Sequence, residues 1–272
     1  MIPIDSQTMR EVAPRFSGKA AERQAAIIAE VGEALRPTLE GYGITDRLRI
    51  AHFLAQTCHE SAGFRTTEEF ASGDAYEGRK DLGNTEPGDG RRFKGRGLLQ
   101  LTGRANYREY GEALGVDLVA DPARAAEPVL SLHIACEYWK RRKINEACDR
   151  DDLLRVTKLI NGGLNGLEDR RALAAKAKAA LARIEGIRLS GAVAANDDRP
   201  VLRRGSKGED VARLQSLLRD LGFAVAIDGD FGPGTEVAVL RFQSERQLVA
   251  DGIVAPETWS ALEKAPGKKA AA

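Results

Sequence analysis

Glu60 lies in the segment Cys58-His59-Glu60-Ser61-Ala62-Gly63-Phe64, and Glu69 follows nine residues later. The apolar positions Leu48, Ala51, Phe53, Leu54 and Ala55 ahead of Glu60 have helical spacing, with Thr45-Asp46 as a cap. Continued as a helix at about 1.5 Å per residue, the two α-carbons would stand roughly 13 Å apart; Gly63 lets the chain turn so that they can face each other over a cleft. Facing carboxyl groups are what glycoside hydrolysis requires. One, against an apolar wall, keeps a proton for the leaving oxygen; the other, wetter, stays ionised. Glu60, near Phe53, Leu54 and Phe64, suits the first role, and Glu69, beside Thr67 and Glu68, the second. Spacing alone would equally describe two solvated surface glutamates, and the adjacency of Glu68 leaves the second role open by one position.

A second segment, Arg92 to Tyr107, sets the pair Gly95-Arg96-Gly97 before an alternating run, Leu98-Leu99-Gln100-Leu101-Thr102, and then Asn106-Tyr107. Its amides and hydroxyls suit sugar recognition, which needs oriented donors and acceptors more than charge. A phosphate loop is excluded, because no strand leads through a Gly-rich turn into a Lys-Ser or Lys-Thr pair. Three histidines and three cysteines raise zinc-amidase and cysteine-peptidase alternatives. Cys58 and His59, as helix neighbours, point about 100° apart and cannot work as a pair, and no metal-ligand spacing is present. No metal and no cofactor is expected. Tyr138 and Trp139 lie inside a helical pattern and read as core, and Arg141-Arg142-Lys143 as a solvated face.

Positioning these residues falls to a mainly α body. Helical periods run over Gly18 to Leu39, ending near Pro37, and over Tyr107 to Leu114, Pro128 to Lys143, Leu153 to Ile160 and Asp169 to Ile184. The stretch Ser72 to Gly97, with seven glycines, has no period and reads as a long irregular segment with a short hairpin. Small and polar residues from 187 to 199 read as a linker. Beyond it, Asp-Gly-x-x-x-Pro-x-Thr occurs twice, at Asp228 and 23 residues later at Asp251, each time leading into a helical pattern; a third helix covers Gly208 to Leu221. The expected domains are therefore 1–186, a linker 187–199, a small three-helix domain 200–264 and a tail 265–272.

The 272 residues carry 41 Lys plus Arg against 40 Asp plus Glu, and neither half has the basic excess of a nucleic-acid binder. No apolar run approaches the roughly 20 residues of a membrane span. Charged residues in Met1 to Pro14 break any export signal, which implies synthesis in the cytoplasm and an independent route outward. An odd number of cysteines, Cys58, Cys136 and Cys148, reads as buried thiols rather than a disulfide framework.

The set Ala51 to Gln56, His59-Glu60-Ser61, Glu69, Gly95 to Tyr107, Ile160-Asn161-Gly162-Gly163 and Asp169-Arg170-Arg171 resembles glycoside hydrolase family 19, which includes chitinases and many phage endolysins. The resemblance covers roughly 46–181 and implies an α+β, lysozyme-like fold with a small β-hairpin region and a single-displacement, inverting mechanism. It implies Glu60 as general acid, Glu69 as base and Thr102 as holder of the attacking water. It further implies His59, Gln100, Asn106, Tyr107 and Asn161 about the sugar cleft, with Arg170 tuning the carboxylates. The short gap between the glutamates is similar to that of the endolysin branch. Residues 200–264 resemble the three-helix peptidoglycan-binding module of wall hydrolases through Leu202 to Val211, Leu214-Gln215, Asp228 to Gly232, Phe242-Gln243 and Asp251 to Val254. Arg204, Asp228 and Phe231 are candidate wall contacts.

The reading that follows is a monomeric endolysin that cuts β-1,4 bonds of the peptidoglycan backbone, acts at the wall after release and is held there by its C-terminal module. A chitinase acting on chitin oligosaccharides and a non-catalytic wall-binding protein are the alternatives. Residues 197–272 alone should co-sediment with purified sacculi; a fragment left wholly in the supernatant would remove the wall-binding module from this reading.

Overall fold

The computed structural model describes residues 1–192, 200–246, 248 and 250–265. Its helices are α1 (Ser6–Val12), α2 (Gly18–Gly41), α3 (Arg47–Glu60), α4 (Asp89–Arg92), α5 (Arg104–Leu114), α6 (Pro128–Arg141), α7 (Asn145–Cys148), α8 (Leu153–Asn161) and α9 (Leu167–Ala192). Three further helices, α10 (Glu209–Asp220), α11 (Pro233–Glu245) and α12 (Pro256–Lys264), form the C-terminal part. The chain divides into two units, Met1–Arg183 and Ile184–Ala272. No helix among the described residues is long and apolar enough to cross a membrane.

In the first unit α3 is the central element. Asp46 caps it by accepting from the N–H groups of Leu48 and Arg49, both at 3.0 Å, and every residue from Ile50 to Cys58 is buried. A helix buried on all sides needs neighbours on all sides: α1, α7 and α8 pack on α3, while α2 lies along α6. Phe53 meets Trp139 of α6 edge-to-face at 5.2 Å, which adds about 1 kcal/mol to the burial of two large rings. Trp139 is core, as its helical context implies, and the three cysteines are buried free thiols.

Two boundaries differ from the periodic reading. Pro37 does not end α2, which continues to Gly41. Pro37 and Glu33, whose carbonyl loses its partner, are both exposed, so water can take the missing bond. Residues 187–192, the expected start of the linker, continue α9 to Ala192; residues 193–199 and 266–272 lie outside the described residues. The helix α1 belongs to no periodic pattern noted above. It is set by a local capping box, in which the Asp5 side chain accepts from the Thr8 N–H at 2.9 Å and Thr8 accepts from the Asp5 N–H.

The Gly-rich stretch is ordered largely by polar contacts, with Phe93 anchoring its end in an apolar cluster with Leu101, Tyr107 and Tyr110. It holds 3₁₀ turns at Asp74–Tyr76 and Lys80–Leu82, then α4. Arg104 donates to both oxygens of the buried Asp89, whose carboxyl is held below its ordinary range by that pair. Buried Asn84 donates to the Tyr76 carbonyl at 2.8 Å and accepts from the Arg104 N–H at 2.8 Å. Gly73 and Gly90 lie back to back: a Cβ on Gly73 would fall 2.5 Å from the Gly90 carbonyl oxygen, and one on Gly90 2.7 Å from that of Gly73. The expected hairpin is reduced to isolated antiparallel bridges, Glu68 with Arg96 and Arg96 with Leu101.

The second unit closes around Leu214, Leu218, Phe231, Val239, Phe242 and Trp259. The repeated turns have one cause. Buried Gln215 on α10 donates to Asp228 Oδ1 (2.8 Å), the Asp230 carbonyl (3.0 Å) and Thr235 Oγ1 (3.1 Å), and accepts from the Asp228 and Gly229 N–H groups. Gln243 on α11 does the same for Asp251, Ile253, Thr258 and Gly252. One buried amide thus ties each turn from the helix side, while short antiparallel bridges, Lys207 with Asp230 and Leu202 with Val254, pair it from the other. Gln215→Ala orphans the buried Thr235 hydroxyl and several half-buried turn groups at once and should destabilise this unit by about 3 kcal/mol. Denaturant unfolding followed by Trp259 fluorescence in a Trp139→Phe background measures it, and a change under about 0.5 kcal/mol would contradict this account.

Candidate active site

Glu60 ends α3, and the chain then passes through three consecutive left-handed residues, Ala62 (φ 51°), Gly63 (φ 83°) and Phe64 (φ 60°). Two of the three are not glycine, so the turn is costly and must be over-determined by its surroundings. Phe64 is fully buried, its N–H donates to Ser61 Oγ at 3.0 Å, and Gln24 donates to the Gly63 carbonyl at 2.6 Å. The helix is thereby cut off at the carboxylate.

Glu60 Oε1 accepts from Arg170 Nη2 at 2.5 Å. Arg170 is buried, and its other nitrogens are also engaged: Nη1 donates to Gln56 Oε1, and Nε to the Asn165 carbonyl at 3.1 Å. Gln56 and Glu60 are one turn apart on α3 and so present one face to the guanidinium. Gln56 is anchored in turn, donating to Thr157 Oγ1 at 3.3 Å. Asn161 shapes the loop between α8 and α9. Its Oδ1 accepts from the Gly163 N–H at 2.8 Å and its Nδ2 donates to the same Asn165 carbonyl at 3.1 Å. The Tyr138 hydroxyl donates to the Ile160 carbonyl at 2.9 Å and holds the end of α8. Among the described residues Glu60 is the carboxylate that Arg170 contacts, and the expected apolar wall around Glu60 is here a cationic contact on one edge.

His59 does not bond to Glu60. Its Nδ1 lies 2.6 Å from Asp169 Oδ2, and its ring rests against Gly166, where a Cβ would fall 2.4 Å from Nε2. Adjacent side chains on a helix diverge, so His59 braces the start of α9 while Glu60 faces Arg170. Cys58 is buried and its thiol is pushed up to about 12 by desolvation, which leaves no thiolate for nucleophilic chemistry. No group of three or more His, Cys, Asp or Glu among the described residues is arranged to hold a metal.

Glu69 sits in the small bridged region. Its N–H donates to the Gly95 carbonyl at 3.0 Å, and the Gly97 N–H donates to the Thr67 carbonyl at 2.6 Å. The carboxylate takes two neutral donors, the Gly95 N–H on Oε1 at 2.8 Å and the Tyr76 hydroxyl on Oε2 at 3.0 Å. Burial first, then the Glu69 carboxylate, push the Tyr76 hydroxyl up from its ordinary value, so it stays a donor. Gly95 admits no side chain: a Cβ would stand 2.9 Å from Gln100 Oε1 and 3.3 Å from Glu69 Cδ. Gln100 and Glu69 thus converge on one point. From there Thr102 Oγ1 donates to the Gln100 carbonyl at 2.9 Å, and Asn106 Nδ2 to the Thr102 carbonyl at 2.7 Å. Glu68 is spent elsewhere, paired with Arg96 Nε at 3.1 Å and Lys94 Nζ at 3.2 Å.

Two expected contact residues are core. Tyr107 is fully buried with its hydroxyl donating to the Lys94 carbonyl at 2.6 Å, and burial pushes that hydroxyl up to about 12. It supports the bridged region from beneath and has no surface to offer a sugar. Phe231 is likewise fully buried in the second unit. Asp228 is exposed but its Oδ1 already serves the Asp230 N–H and Gln215, which hold its carboxyl below the ordinary range. Arg204 pairs with Glu236 at 3.1 Å. Tyr76 contacts Glu69 without having been singled out in the sequence, and Gln56 and Asp169, quoted there only as part of the motif, contact Arg170 and His59. Gln56 carried a signal, a polar residue in a buried helix four before Glu60; Tyr76, in an aperiodic loop, carried none.

Residues 27–154 match the family model for class I chitinase, and residues 207–262 that for a peptidoglycan binding domain. A glycosyl hydrolase family 19 domain-containing protein of Haemophilus influenzae is 30% identical over 171 residues, 52% of this chain and 84% of that one. Chitinase 8 of Oryza sativa subsp. japonica is 29% identical over 140 residues, 43% of this chain and 52% of that one, so the chain spans about half of this plant relative. Chitinase C of Streptomyces griseus HUT6037 superposes with a TM-score of 0.51 at 20% identity, covering 66% of this chain and 76% of that one, a likeness of fold.

Tyr76→Phe removes one of the two donors on Glu69 and should lower kcat by about tenfold with little change in KM. Steady-state kinetics on a soluble oligosaccharide reads this, and an unchanged kcat would remove Tyr76 from the site.

Proposed function

The chain belongs to glycosyl hydrolase family 19, and on that premise we propose that it is an endolysin-type hydrolase of the β-1,4-linked glycan backbone of peptidoglycan. The observation that carries the choice of substrate is the peptidoglycan binding domain, matched in the same chain as the hydrolase. A wall-binding unit raises the effective concentration of the hydrolase on an insoluble polymer.

In this reading Glu60 protonates the leaving glycosidic oxygen while Glu69 takes a proton from a water lodged by Thr102. The water attacks the anomeric carbon from the opposite face, which inverts its configuration. This requires about 6.5 to 9.5 Å between the two carboxyl groups in the working complex. The two carboxyl groups are held in fixed orientations by different partners. Glu60 is oriented by Arg170, itself held by Gln56 and the Asn165 carbonyl. Glu69 is aimed by neutral donors only, the Gly95 N–H and the Tyr76 hydroxyl. Gln100, Asn106 and Asn161 line the sugar path beside them. The protein acts as a monomer, is made in the cytoplasm and meets the wall after release.

Hydrolysis of chitin is the second reading, favoured by the likeness of residues 27–154 to class I chitinase. Digestion of purified sacculi and of chitohexaose, with mass spectrometry of the new reducing ends, separates the two. Muramic acid or glucosamine ends from sacculi are expected, and Glu60→Gln should lower the rate at least a thousandfold while keeping an acceptor for Arg170. Release from chitohexaose alone would leave a chitinase; equal clearing of chloroform-treated Gram-negative cells by Glu60→Gln would discard the assignment of the acid.

A further inference from the structure

Arg65 lies on the short segment that joins the two candidate catalytic carboxylates, five residues after Glu60 and four before Glu69. Its backbone is fixed by donation of its N–H to the Ser61 carbonyl at 3.1 Å. Its guanidinium carbon stands 5.1 Å from the ring centroid of Phe16 and 5.8 Å from that of Phe70. Among the described residues no carboxylate lies within ion-pair distance of it, and its buried Nε–H has no acceptor. Arg96, Arg104 and Arg170, the other arginines of this region that face inward, each pair with a carboxylate. Phe70, directly after Glu69, is 72% exposed.

These facts describe a guanidinium held by aromatic rings with its hydrogen-bonding fork unspent. Ring contacts fix the cation at little cost in hydration, and a planar fork matches a carboxylate through two parallel bonds. Phe70 adjoins Glu69, and four extended residues span at most about 14 Å, so the guanidinium is within reach of a substituent on a sugar at or next to the bond being cut. Chitin carries no anionic group, whereas peptidoglycan bears peptide substituents with free carboxylates on alternate sugars.

We propose that Arg65 is a specificity-determining residue that receives a carboxylate of the peptide substituent beside the scissile bond, with Phe16 and Phe70 holding its guanidinium. The inference rests on the peptidoglycan reading above and deepens it. A carboxylate completes the fork, and a neutral glycan leaves it unpaired, so discrimination comes from the unmet contact as much as from the met one.

The experiment compares the full-length protein, Arg65→Gln and Arg65→Lys on intact sacculi, on sacculi whose carboxyl groups have been converted to amides with carbodiimide and ammonium chloride, and on chitohexaose. On intact sacculi Arg65→Gln should lose about ten- to a hundredfold in kcat/KM, chiefly through KM, and Arg65→Lys, which keeps the charge without the fork, an intermediate factor. On amidated sacculi the wild type should fall toward the variants, and the three should agree within about threefold. A loss of the same factor on intact and amidated sacculi would make Arg65 a packing element and overturn the proposal, as would no loss on intact sacculi. Should Arg65→Gln fail to fold by thermal melt, the same ratio is read from Arg65→Lys. A wild type that cuts chitohexaose but neither wall preparation would overturn the peptidoglycan reading and this inference with it, whereas failure of the inference alone leaves wild-type cutting of intact sacculi intact.

Discussion

The contact between Arg170 and Glu60 is the constraint around which the hydrolase unit is arranged. Arg170 is 2% exposed, and Glu60 is its anionic partner among the described contacts. A buried guanidinium stripped of its carboxylate costs several kcal/mol, so the pair ties the end of α3 to the start of α9. Everything near it serves the same geometry. Gln56 supplies a second acceptor one turn back on α3, and the Asn165 carbonyl supplies the third, held in place by Asn161. The strained residues at 62 to 64 end α3 at the carboxylate, so Glu60 projects from a helix mouth instead of along a helix side. His59 with Asp169 braces the other side of the same junction.

Glu69 is held by a different physics. Order in its region comes from a buried polar network, Asn84, Asp89 and Arg104, from the close approach of Gly73 and Gly90, and from the apolar cluster of Phe93, Leu101 and Tyr107 beneath it. These place Tyr76, whose hydroxyl reaches Glu69. Tyr107 and Arg96 support the bridged segment from below, and Glu68 neutralises the nearby cations. One carboxylate is thus oriented by a cation and the other by neutral donors. In the C-terminal unit two buried glutamines play the comparable part, each tying an Asp-Gly turn to its helix beside a short antiparallel bridge.

The helical architecture was legible because apolar residues at spacings of three and four must share a buried face. The bounds of α6, α8 and α10 agree with their periods to within a few residues, and the repeated Asp-Gly-x-x-x-Pro-x-Thr pattern marks two equivalent turns. Where the sequence misled, a local rule met a tertiary setting. Pro37 is tolerated because its face of α2 is solvated. Tyr107 and Phe231 are core because an aromatic residue type suits a sugar platform and a hydrophobic interior equally well, and only packing distinguishes them.

By itself the sequence determined that this is a two-part, mainly helical chain with a hydrolase of glycosyl hydrolase family 19 and a C-terminal domain of the peptidoglycan-binding type, since periodicity, turn chemistry and motif are properties of neighbouring residues. Only the tertiary structure decided what each carboxylate touches. Arg170 is 110 residues from Glu60, Gly95 is 26 from Glu69, and Tyr76 reaches Glu69 from a loop with no period at all. Such partners are chosen by the direction a side chain takes once helices and turns have packed, and no spacing along the chain encodes that direction.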